Sequence, residues 1–152
     1  MKEIEGNLFD YRGNGNILVI PTNGQYKYGP QVAIMGAGVA KQAAMIWPTL
    51  PHMLGRELAR HGNVVHRISL KSALGDELVW TFPTKDNWAE NSKLHLIEKS
   101  AEALARHLDE MTEAHMVYLP RVGCGLGKLK WEDVKQILEK YFDARFTVIE
   151  RK

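Results

Sequence analysis

Ile17-Leu18-Val19-Ile20-Pro21-Thr22-Asn23-Gly24 is the stretch that decides how this chain is read. Three of its four leading apolar residues are β-branched, and a proline and a polar turn follow, which is how a short buried strand ends in a loop. Runs of the same kind recur at residues 64–70, 78–82, 116–119 and 146–149, with a shorter one at 2–5. Helical periodicity fills the gaps between them. After Ser92, Leu94, Ile97, Ala101, Leu104, Leu108 and Met111 fall at steps of three and four, one apolar stripe of a helix. Val134, Ile137, Leu138 and Tyr141 repeat that spacing, with Glu132 and Asp133 in the first turn, where the helix dipole favours carboxylates. Weaker helices are expected over residues 38–47, stopped by Pro48, and 51–61, stopped by Gly62. Strands alternating with helices predict an α/β protein whose mixed or largely parallel sheet is covered on both faces.

Composition bounds the rest. The chain has 152 residues, 45% hydrophobic and 25% charged, with a formal net charge of +2. These values fit one globular domain over residues 1–152 and exclude a disordered or fibrous chain. Such a charge gives no reason to expect strong duplex binding, although a local nucleic-acid contact stays open. The single cysteine, Cys124, cannot form an internal disulfide, so a reducing, cytoplasmic setting is expected. The first fifteen residues have no apolar core of a signal peptide, and no run approaches the ~20 apolar residues of a membrane span, so no membrane association is expected.

Ligands of such sheets sit beyond the carboxyl ends of the strands. Three loops stand there. Pro21-Thr22-Asn23-Gly24 leads to Met35-Gly36-Ala37-Gly38-Val39, Pro83-Thr84-Lys85 leads to Trp88, and Pro120-Arg121-Val122-Gly123-Cys124-Gly125-Leu126-Gly127 precedes the helix near Trp131. Two of them are glycine-rich. Backbone N–H groups of such loops or of a helix N-terminus form anion nests, and two facing nests would hold a pyrophosphate; the alternative is that the glycines only make turns and caps. Nucleotide fingerprints fail: Gly36-Ala37-Gly38 lacks the third small residue of the dinucleotide motif, and Val122 stands where a P-loop needs glycine. Six histidines show no paired metal-ligand spacing and no G-x-S-x-G elbow occurs, so neither a metal nor a cofactor is expected.

Taken together, the segments from Ile17 to Asn23, Met35 to Lys41, Phe82 to Lys85 and Pro120 to Gly127, followed by Trp131 to Val134, resemble a macrodomain over nearly the whole chain. They are most similar to the branch holding the terminal ADP-ribose protein glycohydrolase and the antitoxin macrodomains that remove ADP-ribose from thymidine in DNA. The resemblance implies a three-layer α/β/α fold with a central mixed sheet that binds ADP-ribose. Asn23 would contact the distal ribose, Met35, Gly36, Ala37, Gly38 and Val39 would form one phosphate loop, and Gly123, Cys124, Gly125 and Leu126 the other. Arg121 is a further candidate for a phosphate, as are Lys41, Lys93 and Arg12, although such side chains are mostly solvated. At the adenine end the family commonly has Gly-Asp-Leu, whereas this chain has Gly6-Asn7-Leu8. The Asn7 amide oxygen can accept the same bond without charge; alternatively it caps a turn. Cys124 lies where a thiolate would be favoured, yet the family pattern gives it a packing role.

Lys85, following Pro83 and Thr84, matches the catalytic lysine of both related groups; the alternative is a solvated lysine. Where the protein-directed enzyme has an assisting aspartate this chain has Gly127, which leaves Asp86 and Glu90 as nearby carboxylates. Tyr26, Tyr28 and Trp88 are placed to stack on a base or ribose, or to anchor their loops. The resulting expectation is an ADP-ribosyl glycohydrolase acting on modified DNA, slightly favoured, or on protein. An ADP-ribose 1″-phosphate phosphatase and a non-catalytic reader are the alternatives.

Overall fold

In the computed structural model, which describes residues 1–152, the chain begins with β1 (Lys2–Gly6), a 3-10 turn (Leu8–Tyr11) and β2 (Ile17–Thr22). A small hairpin of β3 (Tyr26–Lys27) and β4 (Val32–Ala33) follows, then helices α1 (Gly38–Ile46) and α2 (Leu50–His61). The remainder is β5 (Arg67–Ser72), β6 (Gly75–Pro83), α3 (Leu94–Asp109), β7 (Val117–Pro120), α4 (Trp131–Glu139) and β8 (Phe146–Arg151). Six strands form one sheet in the order β1-β8-β7-β2-β6-β5, parallel throughout except for the edge strand β5. No helix is long and apolar enough to cross a membrane.

The period of two in β2 distributes its side chains between two cores. Ile17 and Val19 join the cluster with Ile97, Leu104, Val134 and Leu138 from α3 and α4. Leu18 and Ile20 join Ala43, Leu50, Leu54 and Leu58 from α1 and α2. All four β2 residues are at most 1% exposed. Burial of each such side chain contributes about 1.5–3 kcal/mol, so both helix layers are fixed to the sheet through its centre.

Most expected elements are present, and the departures have local causes. Residues 64–66 precede β5 rather than joining it, and β5 turns directly into β6 through Ala73 and Leu74, with Gly75 at φ +89. A two-residue connection can join only antiparallel strands, which is why this edge pair runs against the rest. Leu94, expected on the buried stripe of α3, is 40% exposed in the first turn. Met111 and Tyr141 lie past the ends of their helices and only pack partly against the core. The hairpin β3–β4 and the 3-10 turn have no counterpart in the apolar pattern.

One buried ion pair joins three of these elements. Glu77 on β6 is 2% exposed and accepts hydrogen bonds from Arg12 Nε and Nη2, each at 2.8 Å, and from Trp47 Nε1 at 2.9 Å. Arg12, read above as a candidate phosphate contact, is therefore committed elsewhere; its guanidinium also lies 5.1 Å from the Trp47 ring centre. The Arg12 hydrogen bonds outweigh burial and, with Trp47, hold the Glu77 carboxyl at a pKa of about 2. Since the unfolded carboxyl titrates near ~4.3, this stabilisation is complete above that value and is lost as pH falls through about 2. Glu77→Ala is expected to remove about 3 kcal/mol of stability at pH 7, lowering the melting temperature by roughly 6–12 °C. Calorimetry at pH 7 and pH 3 should show the gap between variant and wild type narrowing at the lower pH.

Candidate functional site

Parallel pairing brings the carboxyl ends of β2, β6, β7 and β8 to one edge of the sheet. Thr22 is in register with Pro83, and the next residue, Thr84, donates its N–H to the Thr22 carbonyl at 3.0 Å. Lys85 and Asn23 therefore leave adjacent strand ends together. A cavity of about 830 Å³ opens there. Asn23, Met35, Gly36, Ala37, Val39, Thr84, Lys85, Arg121, Gly123, Gly125, Leu126 and Gly127 all line it.

Two arrays of backbone donors belong to this cavity. Helix α1 starts at Gly38 with φ +57, and its N-cap Ala37 offers no side-chain acceptor, so the first-turn N–H groups are without partners and carry the positive end of the helix dipole. In the loop after β7, the N–H groups of Gly125, Leu126 and Gly127 make no intramolecular hydrogen bond. That loop is braced by Leu129 N–H to the Gly123 carbonyl at 2.9 Å and Lys128 N–H to Gly125 at 3.1 Å, with Gly123 at φ +77. Its open donors are thus held in place before any ligand arrives.

Lys85 is half-buried and makes no ion pair. Its carbonyl is fixed by Asn63 Nδ2 at 3.1 Å. The neighbouring acids are committed to holding the loop. Glu90 Oε1 accepts from the N–H groups of Asn87 (3.0 Å) and Asp86 (2.7 Å), which hold its carboxyl below the usual range, and Oε2 lies 3.4 Å from Lys93 Nζ. Asp86 accepts from Asn63 Nδ2 at 3.0 Å, lies 3.8 Å from Lys93 Nζ, and does not line the cavity. Lys93, another candidate for a phosphate, is in turn occupied by these two carboxylates. Gly127 cannot be given a side chain: a Cβ there would collide with Ser92 Oγ and come within 2.6 Å of the Gly123 carbonyl oxygen. Ser92 is 6% exposed and donates its N–H to the Gly127 carbonyl at 3.0 Å, so this packing excludes an aspartate at residue 127.

Several expected contacts lie outside the cavity. Asn7 Oδ1 accepts the Phe9 N–H at 3.0 Å and caps the 3-10 turn, the alternative noted for it, and Leu8 is buried in the core. Pro83 is buried at the end of β6, where its carbonyl accepts from Ser100 Oγ. Gly38 sits behind Ala37 at the start of α1. The Cys124 thiol turns toward the Val122 carbonyl at 3.5 Å, and burial pushes its pKa up to about 11. It is a packed thiol, and the electrostatic preference for thiolate is overruled by desolvation. Asn23 lines the cavity but also ties its own loop, with Nδ2 donating to the Ile34 carbonyl and Oδ1 accepting from Gln25 N–H; one amide proton and one lone pair remain for a ligand. Lys41 is exposed and outside the lining.

The cavity also uses residues that the sequence reading missed. Ile149, Glu150 and Arg151 at the end of β8 line it, as do Asn91, Ser92 and Lys128. The first group lies on a strand itself, outside the three strand-to-helix loops singled out in the sequence. Arg121 is held between Glu150, at 3.2 Å, and the face of Trp131, at 4.9 Å from the ring centre.

This arrangement of sheet, helices and glycine loops is that of a macrodomain. The macrodomain of Mycobacterium tuberculosis DarG superposes with a TM-score of 0.77 and 26% identity, covering 99% of this chain and 98% of that one. That of Thermus aquaticus DarG gives 0.76 and 24%, over 99% and 97%. Thermosipho africanus DarTG, solved in complex with ADP-ribose, gives 0.78 at 19% identity, over all of this chain and 42% of that one; at this identity the likeness is one of fold. Among curated proteins, the chain is similar to the DNA ADP-ribosyl glycohydrolases of Thermus aquaticus (27% identical over 133 residues) and Mycobacterium tuberculosis (29% over 133 residues). It covers 37% and 38% of their lengths, and the match takes in 86% of this chain. It is also 28% identical over 120 residues to human ADP-ribose glycohydrolase OARD1, covering 72% of this chain and 68% of that protein. No family model matches the chain. The chain is therefore a macrodomain in fold, and the curated proteins it is similar to are named as DNA ADP-ribosyl glycohydrolases and an ADP-ribose glycohydrolase.

The two glycines of the loop after β7 should respond oppositely to a methyl group. Gly127→Ala is expected to lose about 2 to 3 kcal/mol of stability by overpacking against Ser92. Gly125 has nothing within 4 Å of a built Cβ, so Gly125→Ala should change stability by no more than about 0.5 kcal/mol. Urea unfolding of both variants checks the contrast.

Proposed function

We propose that the protein is an ADP-ribosyl glycohydrolase that releases ADP-ribose from modified DNA, with Lys85 as its catalytic group. The observation that carries this reading is the sharing of one cavity by two unpaired backbone donor arrays and a lysine without an ion pair. The names of the similar proteins support the reaction, and two of the three support DNA as the acceptor. The backbone arrays hold the pyrophosphate, and the remaining polar capacity of Asn23 meets the distal ribose, which directs C1 of that ribose toward Lys85. As the bond from C1 to the base breaks, the base nitrogen keeps the electron pair and takes a proton, and a water oxygen joins C1. As an ammonium, Lys85 stabilises or protonates the departing base; as a free amine it attacks C1 and displaces the base, and water then cleaves the C1–N bond of the adduct, placing its oxygen on C1 and returning the amine. The carboxylates near Lys85 are engaged elsewhere: Glu90 and Asp86 hold the loop, Glu150 pairs with Arg121, and residue 127 has no room for one. The phosphatase alternative lacks a thiolate nucleophile, because the Cys124 thiol is turned away and hard to ionise.

Free ADP-ribose is expected to bind stoichiometrically in calorimetry, and Gly125→Glu to abolish the heat by filling the anion nest while leaving the fold intact. Absence of both heat and thermal shift with the wild type at millimolar ADP-ribose would remove the pyrophosphate site. Lys85→Ala should keep ADP-ribose affinity within about tenfold while release from ADP-ribosylated DNA falls by about 10² to 10⁴, because only a group at the scissile bond gains interaction as that bond breaks. Lys85→Arg separates the roles: retained release indicates electrostatic assistance, and loss indicates attack or proton transfer. Equal turnover by wild type and Lys85→Ala would refute the assignment.

A further inference from the structure

Trp88 is the one aromatic side chain in the cavity lining, and it is 61% exposed, against 4% for Trp47 and 2% for Trp80. Its ring packs against no other aromatic group or cation, and its indole N–H has no partner. The backbone beneath it is nevertheless fixed. Trp88 N–H donates to Gln25 Oε1 at 3.0 Å, Ala89 N–H to Asn87 Oδ1 at 2.9 Å, and Glu90 gathers the N–H groups of Asp86 and Asn87. Ser92 N–H then ties the far end of the loop to Gly127. Beyond Trp88, the strongly exposed large apolar residue in the lining is Leu126, at 66%, on that second loop. A braced loop thus holds a flat apolar ring in water at the cavity's rim, three residues beyond Lys85. Such a ring gains from covering by another flat group.

Resting on the glycohydrolase reading above, we propose that Trp88 is the stacking platform for the nucleobase that carries the ADP-ribose. Trp88 lines the same cavity as Lys85 and the two backbone arrays, three residues along the chain from Lys85, and so is within the space open to the group beyond a scissile bond at Lys85. A nucleobase presents a π face there, whereas an acceptor carboxylate of a protein presents none, so Trp88 selects the acceptor class. A base paired and stacked within a duplex cannot reach the indole. The acceptor is therefore a single-stranded or extruded nucleotide.

Stacking is equal in ground and transition states, so its loss should appear in KM more than in kcat. Trp88→Ala is expected to raise KM for an ADP-ribosylated single-stranded oligonucleotide roughly ten- to hundredfold, the worth of one stacked base. Free ADP-ribose affinity should stay within about twofold, and Trp88→Phe should recover most of the KM. Thermal melts establish that each variant is folded. An unchanged KM, or an equal loss of affinity for free ADP-ribose, overturns the proposal. Should the wild type release nothing from any ADP-ribosylated substrate, the glycohydrolase reading fails, and binding then decides about Trp88. Tighter binding of the modified oligonucleotide than of free ADP-ribose, cancelled in Trp88→Ala, supports the platform; equal affinity of the two ligands for the wild type refutes it.

Discussion

The parallel pairing of Ile17–Thr22 on both of its edges is the constraint on which the rest of this molecule depends. With β6 on one side and β7 on the other, β2 can hide its apolar side chains only if helices cover both faces, and each parallel neighbour has to be reached by a crossover. The same direction of travel delivers Asn23, Lys85 and the loop after Pro120 to one end of the sheet. Antiparallel pairing, as at β5, would have sent every second loop to the opposite end. The cavity is thus a consequence of strand direction before any side chain is chosen for chemistry.

What the side chains then do is divided sharply between holding and remaining open. Some charged groups around the cavity satisfy one another: Glu90 and Asp86 with Lys93, and Arg121 with Glu150 and Trp131. Lys85, Lys128 and Arg151 line the cavity without an ion pair. The open backbone N–H groups cannot rotate away or titrate, and so are pre-organised for an anion. Deeper in the fold, Glu77 is enclosed by Arg12 and Trp47, and its charge serves the junction of β6, α1 and the loop before β2 rather than any ligand.

The Ser92–Gly127 contact gives a physical meaning to a difference between relatives. The resemblance drawn in the sequence implies an assisting aspartate at the position of Gly127 in the protein-directed enzyme, and here the serine from the loop before α3 occupies the space it would need. The two loops are also joined by a main-chain hydrogen bond, so the substitution and the neighbour's packing form one unit. The packing thus leaves no room for a carboxylate at that position.

The layer architecture, the core faces of β2 and α3 and the two glycine loops were legible in the chain itself, because hydrophobic period and glycine placement are local properties of neighbouring residues. That Lys85 would face the cavity was legible through its position after an apolar run, and its role rests on resemblance to a family. Other features depend on partners distant in sequence, and no local pattern records them. Arg12 reads as a free cation until Glu77, 65 residues away, is found against it; Asn7 reads as ligand contact or cap, and the Phe9 N–H shows the cap while leaving one lone pair; Glu90 reads as a candidate acid until its loop closes around it. The end of β8 entered the cavity because the sheet placed it beside β7, which no strand-to-helix rule predicts. The sequence by itself determined which segments become strands and helices and where backbone can approach an anion, since sterics and burial act residue by residue. Only the tertiary structure decided which charges remain available, since a charge is removed from function by whichever partner the fold brings within hydrogen-bonding distance.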